Sequence, residues 1–286
     1  MNSSKLPNSV SASIVLFNTP KDLLQDVYAS VINSDLNINL YLIDNSPQPC
    51  VDHLDYPTAH YIFTGKNLGY GAGHNVAIRK IINISTFHFI LNPDIKFTPS
   101  TIPSILKFME SDPTIGHVMP QIVYPDGEIQ YLCKLIPNPI DLFARKFLPA
   151  FLKPILTARM NQFELRDTGY QTTMDVPYLS GCFMALRLEA LKQVGLFDER
   201  FFMYPEDIDL TRRIAELYRT TYFPEAKVIH SHARESYQNF RMLWVHISNM
   251  VTYFNKWGWV FDSNRAKINS RTLYKLKQQK LINRNN

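Results

Sequence analysis

The sequence predicts an α/β fold, a mostly parallel central sheet flanked by helices with a helical C-terminal extension. Three observations carry this. Strand-like apolar runs alternate with segments of helical spacing through the first half. Polar turn clusters close those runs, and strands separated by helices argue for a parallel sheet covered on both faces. A chain of 286 residues, 45% of them apolar, is also long enough for one large core. At this size roughly three quarters of the unfolded surface is lost on folding.

The elements follow in order. Ala12 to Phe17 is an apolar run ended by Asn18-Thr19-Pro20, a first strand. Leu23, Leu24, Val27, Val31 and Ile32 recur at helical spacing, so Lys21 to Ile32 is a helix, with Thr19 and Pro20 as its cap and first turn. Leu40 to Ile43 is a second strand closed by Asp44-Asn45-Ser46-Pro47, and His60 to Phe63 a third. A Gly-rich loop leads into a helix over Gly71 to Ile82. Phe87 to Leu91 is a fourth strand, stopped by Asn92-Pro93-Asp94, and a helix from Thr101 to Met109 and an apolar run from Ile115 to Met119 come next.

The second half is less regular. Tyr124 to Gly127 reads as a tight turn, and Met174 to Leu186 as extended chain interrupted at Ser180-Gly181. Helices are expected at Leu188 to Val194, Glu206 to Leu217 and Tyr237 to Lys256, with a strand at Tyr222 to His230. Asn138 to Glu164 mixes Phe and Leu with Lys and Arg and shows no clean period. Beyond Ser263 the chain is basic and polar, and reads as a solvated tail. The expected division is a domain over 1–240, its halves about 11–120 and 121–240, followed by a helix and basic tail over 241–286.

Composition excludes several classes. Disorder is ruled out by the apolar content and small net charge. The excess of 30 Lys and Arg over 25 Asp and Glu, a net +5, gives no ground for a nucleic-acid partner. Cys50, Cys133 and Cys182 are scattered without metal spacing, as inert thiols of a reducing compartment would be. No window approaches the roughly 18 apolar residues of a bilayer span, and the first residues lack the apolar core of a signal peptide. A cytoplasmic location follows as the expectation, with peripheral attachment at the inner face of the cytoplasmic membrane left open.

In an open parallel sheet, ligands bind beyond the carboxyl ends of the strands. Asn18, Asp44, Asn67 and Asp94 are the polar residues there, and their shared edge matters more than any one of them. The stretch from Gly65 to Asn75 has glycines near alternate positions, suited either to close approach of a phosphate or sugar or simply to positive φ. It is neither a dinucleotide fingerprint nor a Walker A loop. Asp94 is a metal-ligand candidate or a turn residue. Glu206-Asp207-Ile208-Asp209 opens a helix, where the dipole favours carboxylates, so a general base and a plain helix start both stand. At helical spacing Asp207 and Asp209 point apart. His230 and His232 end the last strand.

Read together, these pieces resemble the family-2 inverting glycosyltransferases of GT-A fold, especially their rhamnosyltransferase-like branch of bacterial surface polysaccharide synthesis. IVLFNTP, LIDNSP, NLGYGAGHN, LNPD, the long LSGCFMALRLEALKQVGLFDERFFMYPEDIDLTRRI and KVIHSHARES occur in the family's order, over residues 11 to 240. The resemblance implies a Rossmann-like GT-A sheet and a nucleotide-sugar donor, dTDP- or UDP-linked. Phe17 would stack on the base beside Asn18, Asp44 would hydrogen-bond base or ribose, and Asn67, Gly71, Gly73 and Asn75 would line the donor. Asp94 and His230 would hold Mg2+ or Mn2+ at the diphosphate. Gly181 and Arg213 would belong to the acceptor side, and Asp207 would be the base with Glu206 beside it. Asn92 stands where the metal-binding motif has its first acid.

An inverting transfer needs one carboxylate to take the acceptor's proton and a neutralised diphosphate to leave. The acceptor expected is an oligosaccharide or a lipid-linked glycan, with a membrane surface as a further partner. The alternative from another class is a membrane-surface scaffold with a degenerate donor site, since FARKFLPAFLKPILTAR and the tail mix cations with Phe and Leu as interfacial segments do. A nucleotidyltransferase would need a Gly-rich basic loop after the first strand, which FNTPKD does not supply.

Overall fold

A computed structural model describes residues 9–141, 153–231 and 240–285 of the chain. Among these, a nine-stranded mixed sheet is built from β1 (Val10–Leu16), β2 (Ile38–Asp44), β3 (Ala59–Phe63), β4 (Phe87–Leu91), β5 (Ile95–Phe97), β6 (Ile115–Val123), β8 (Met174–Asp175), β10 (Phe183–Arg187) and β11 (Arg219–His230). Its order is β3-β2-β1-β4-β10-β6-β11-β5, with β8 also on β11. β7 (Cys133–Lys134) and β9 (Tyr178–Leu179) form a separate antiparallel ribbon.

β1, β2, β3 and β4 run parallel, as do β6 and β11. β10 runs antiparallel between β4 and β6. That reversal brings the amino end of β10 beside the carboxyl end of β4, where Asn92 N–H donates to Cys182 O at 3.0 Å. β1 connects leftwards through β2 and β3, and the chain then returns to β1's other side as β4. The crevice between β1 and β4 is therefore the topological switch point where such sheets bind ligands.

Alternation along β1 explains the two covered faces. Val10, Ala12, Ile14 and Leu16 pack with α1 (Lys21–Ile32) and α3 (Thr101–Ser111). The opposite face, with Ile43, Ile90, Met184 and Leu186, is covered by α2 (Tyr70–Ile81), α5 (Leu188–Val194) and α6 (Glu206–Leu217). A polar seam lies within that second face. Ser11 Oγ meets His88 Nδ1 at 2.8 Å, His88 Nε2 meets Ser13 Oγ at 2.8 Å, and Ser13 Oγ meets His74 Nδ1 at 2.7 Å, all fully buried. α4 (Lys153–Phe163), α7 (Phe240–Trp257) and α8 (Ser263–Asn285) complete the described helices. α7 packs on α6 through Tyr253, Phe254 and Met250 against Phe201 and Ile208.

Most expected elements appear, and α1, α5 and α6 have the predicted bounds. Two readings are corrected. Pro20 is itself the cap of α1, with no side-chain cap bond, because the Thr19 hydroxyl is turned back to accept Phe17 N–H at 3.1 Å. The region beyond Ser263 is the helix α8, docked by Asn269, whose amide bonds both N–H and C=O of Ile136, and by buried Thr272. The stretch over Met174 to Leu186 is extended and broken at Ser180-Gly181 as expected, and forms β8, β9 and β10 on different partners. The 142–152 part of the Phe- and Lys-rich run, His232 and the first turn expected for α7 lie outside the described residues.

Candidate active site

Beyond the switch point opens a cleft of about 1150 Å³. Its walls come from the chain following β1 (Phe17, Asn18), the turn after β4 (Asn92, Asp94), Tyr70, and the extended segment from Gln130 to Lys134. Ser180, Gly181, Glu206 and Asp207 close it on one side, and His246 and Met250 of α7 on another.

One end is built around His230. β11 pairs with β5, aligning His230 with Ile95, and Ser231 N–H donates to Asp94 O at 2.9 Å, so the two strands meet beside Asp94. Gln130 Nε2 donates to His230 O at 2.8 Å, which turns the amide so that Gln130 Oε1 accepts from His230 Nδ1 at 3.0 Å. A proton held on Nδ1 leaves the Nε2 lone pair outward, 3.4 Å from Asp94 Oδ1 and 3.4 Å from Asn92 Nδ2. Metal-binding histidines are oriented in this way by the partner of their other nitrogen. Among the described residues no group of three or more His, Cys, Asp or Glu is placed to hold a metal ion. Asp94 and His230 are the two side chains at this end that could hold a cation, and being only two they would leave most of its coordination to ligands from outside the protein.

A hydrogen-bonded path joins this end to the other. Tyr70 O–H lies 3.0 Å from Asn92 Oδ1 and 2.7 Å from Gly181 O, and Gly181 N–H donates to Asp207 Oδ2 at 2.9 Å. A Cβ on Gly181 would stand 3.1 Å from Asp207 Cβ, so glycine here permits the approach of backbone to carboxylate. Asp207 Oδ1 accepts Ile208 N–H at 2.7 Å, and Tyr178 O–H stands 3.5 Å from Oδ2.

The two carboxyls of Glu206-Asp207 are buried together, and burial raises both. Asp207 is pushed up to about 6, restrained by the two backbone N–H donors and by the Lys134 cation. Glu206 is raised further, by burial and then by the Asp207 charge, and among the described residues its Oε2 has no hydrogen-bond partner. Glu206 is thus the more reluctant of the two to ionise, and Asp207 the readier. Two acids with separated affinities are the arrangement proton-transfer sites use.

The remaining expected site residues are placed as follows. Phe17 is 48% exposed on the cleft wall, next to Asn18, whose φ of 49° asparagine tolerates. Asp44 is buried behind the wall, its carboxylate accepting Ser46 N–H (2.9 Å), Cys50 N–H (2.9 Å) and Tyr61 O–H (2.6 Å). Those bonds hold it below the usual carboxylate range against the opposing effect of burial. Asn67 caps its own turn, accepting Gly69 N–H at 3.0 Å. Gly71 and Gly73 lie inside α2, where a Cβ would come within 2.9 Å of Phe197 Cβ and 2.8 Å of Val15 Cγ2 respectively, so both serve close packing. Asn75 staples the loop after α5, bonding both N–H and C=O of Phe197. Arg213 grips Asp209 and the carbonyls of Val194, Gly195 and Leu196. Asp44, Asn67, Gly71, Gly73, Asn75 and Arg213 thus stand off the cleft wall, and Phe17, Asn18, Asp94, Gly181, Glu206, Asp207 and His230 stand on it.

Tyr70, Gln130, Lys134 and Tyr178 are site residues that the sequence reading missed. Tyr70 sits inside the quoted Gly-rich stretch, where its place at the start of a helix was a usable signal. Gln130 and Lys134 carry none, because a tertiary contact alone brings them to His230 and Asp207.

Residues 11–195 match the family model described as Glycosyl transferase family 2. The chain is 30% identical over 204 residues to an N-acetylglucosaminyl-diphospho-decaprenol L-rhamnosyltransferase of Mycobacterium tuberculosis, a match covering 68% of this chain and 64% of that protein. The chain thus spans somewhat less than two thirds of that relative. It is 23% identical over 275 residues to the rhamnosyltransferase WbbL of Escherichia coli, covering 90% of this chain and 97% of that one. Among solved structures, GalNAc-T7 with UDP, GalNAc and Mn2+ is similar at a TM-score of 0.60 and 16% identity, over 81% of this chain and 44% of that one. The mannosyltransferase PcManGT of Pyrobaculum calidifontis, with GDP-Man and Mn2+, gives a TM-score of 0.57 and 15% identity, over 88% and 64%. These two likenesses bear on the fold alone, which is GT-A-like. With the match running from β1 to the end of α5, the chain belongs to glycosyl transferase family 2.

Proposed function

We propose that this chain is an inverting glycosyltransferase that moves rhamnose, carried as a dTDP-sugar, onto a glycan or lipid-linked acceptor in cell-surface polysaccharide synthesis. The observation that carries the reading is Asp207, an ionisable carboxylate at the cleft edge, joined through Gly181 and Tyr70 to the Asp94–His230 end. The names of the mycobacterial and Escherichia coli relatives support the sugar and the lipid-linked acceptor. In this reading Phe17 stacks on the donor's base, Asn18 meets its sugar, and Asp44 acts indirectly by ordering Ser46 to Cys50.

Asp207 takes the acceptor hydroxyl's proton as that oxygen bonds to the anomeric carbon, and the anomeric bond to the diphosphate breaks on the opposite side. The nucleoside diphosphate leaves with the bonding electrons. Gly181 and Ile208 N–H hold the carboxylate in line, while burial disfavours a second negative charge on Glu206 beside it. Asp94 and His230 would hold Mg2+ or Mn2+, which when bound neutralises the diphosphate. No described helix is long and apolar enough to cross a membrane. Peripheral attachment to the inner face of the cytoplasmic membrane belongs to the proposal.

A thermal-shift screen of dTDP- and UDP-sugars with Mg2+ and Mn2+ tests it, since a ligand of the folded state raises the melting temperature. The dTDP-rhamnose arm should give the largest rise, and Asp94→Ala should remove its metal-dependent part. Rises identical with metal and with chelator would overturn the metal role. No rise and no turnover with any donor would favour a non-catalytic surface protein.

A further inference from the structure

We infer that the turn Trp259-Val260-Phe261, with the cationic helix α8 behind it, is a wedge that docks on an anionic lipid bilayer. The turn joins α7 to α8 and presents three consecutive apolar side chains to water: Trp259 is 38% exposed, Val260 73% and Phe261 95%. Single exposed apolar residues are ordinary, but a contiguous apolar tip calls for a partner.

The tip is held outward by its own bonds. Gly258 has φ of 101°, and a Cβ there would lie 2.6 Å from Phe261 O, so the bend requires glycine. Gly258 N–H donates to Phe254 O at 2.8 Å, closing α7. Trp259 Nε1 donates to Asn255 Oδ1 at 2.9 Å while its ring lies 5.2 Å from that of Phe254. Arg265 donates to Val260 O at 3.1 Å. The next residue, Asp262, is locked to Arg212 by two bonds of 2.8 Å. With the backbone fixed on both sides, Val260 and Phe261 stay outside the core.

Charge selects the partner. α8 carries Arg265, Lys267, Arg271, Lys275, Lys277, Lys280 and Arg284 and no acid over its 23 residues. Lys275 is engaged with Asp175 at 3.0 Å, while Lys267, Arg271, Lys277 and Lys280 are exposed. Tyr274 and Ile282 are exposed among them, at 65% and 60%. Cations interleaved with aromatic and aliphatic side chains suit the boundary between anionic headgroups and acyl chains. A tip of three residues is also far below the roughly 20–30 residues per side of a stable protein interface. The inference is an extension of the proposed lipid-linked acceptor, yet vesicle binding is measured without donor or acceptor.

The test is co-sedimentation of the full chain with vesicles of phosphatidylcholine alone or mixed with phosphatidylglycerol. Wild type should bind the mixed vesicles, more weakly as salt rises, and lipids brominated in the acyl chain should quench tryptophan fluorescence. The double variant Val260→Asp/Phe261→Asp should bind about tenfold more weakly or worse, with unchanged melting temperature and unchanged transfer to a short water-soluble acceptor. Lys267→Glu/Arg271→Glu should erase the preference for phosphatidylglycerol. Failure of wild type to bind, or equal binding by the double variant, overturns the inference. So does a dimer that the double variant splits while vesicle binding stays the same. Loss of turnover with vesicle binding intact would sink the proposed reaction and leave the wedge standing.

Discussion

Asp207 and Glu206 are adjacent in sequence, and backbone donors separate their chemistry. Gly181 and Ile208 N–H reach Asp207 alone, so it is the acid that ionises first as pH rises. Transfer should therefore increase with pH through about 6, where the folded Asp207 titrates. Asp207→Asn should lower kcat by about 10²–10⁴-fold with donor binding retained, as loss of a general base does. The stability sign runs the other way. The Asp207 affinity for its proton is raised on folding, so its contribution is full below the unfolded value of 3.8 and is lost as pH climbs through about 6. Asp207→Asn should accordingly gain in melting temperature relative to wild type between pH 4 and pH 8. Lys134 Nζ stands 5.4 Å from the Tyr178 ring centroid, and its charge lowers the Asp207 value. Lys134→Met should move the rising limb of the pH profile to higher pH, and Lys134→Arg should restore it. The carboxylates were legible in the sequence because helix starts and strand ends announce themselves. Lys134 was not, since its two-residue strand has no period to read.

At the scale of elements, the glycines of the loop before α2 answer to packing. Gly69 has φ of 87°, and a Cβ on it would lie 2.3 Å from Phe202 O, in a region of backbone space that only glycine occupies readily. Gly69→Ala should cost about 1–3 kcal/mol from backbone strain, with the clash adding to it. The measurement is a denaturant midpoint, and the same loop's Asn67→Ala should shift it far less. The sequence revealed that these glycines matter and left open why, because close approach to a ligand and close approach to Phe197 or Phe202 leave the same trace. Strands and helices with strong periods, such as β4 and α6, were legible to within a residue. β5, β7 and β9 were not, being three residues or fewer and stabilised only by their partners. α8 escaped for a different reason: its polar surroundings dilute the apolar stripe, and it docks through Asn269 and Thr272 as much as through leucine.

Across the whole molecule, α7 and α8 are fastened to α6 by buried charge. The Arg212 guanidinium, 1% exposed, lies 3.9 Å from the Trp257 ring centroid and is bidentate to Asp262, while Lys256 and Trp257 both reach Asp209. Asp262→Asn would leave an uncompensated buried cation and should destabilise the fold by about 3–5 kcal/mol, whereas replacing both partners with apolar residues should cost much less. A double-mutant cycle by denaturant unfolding separates the two outcomes. The seam of Ser11, His88, Ser13 and His74 works at the same scale through assembly. Burial holds both imidazoles well below their usual range, so the seam stays neutral at working pH. Strand pairing has a period of two, and a one-residue slip of β1 would swing its serines into the apolar layer under α1 and strand the His88 nitrogens. The four residues therefore act as a lock and key between β1, β4 and α2, admitting one alignment of the strands whose ends carry Phe17 and Asp94.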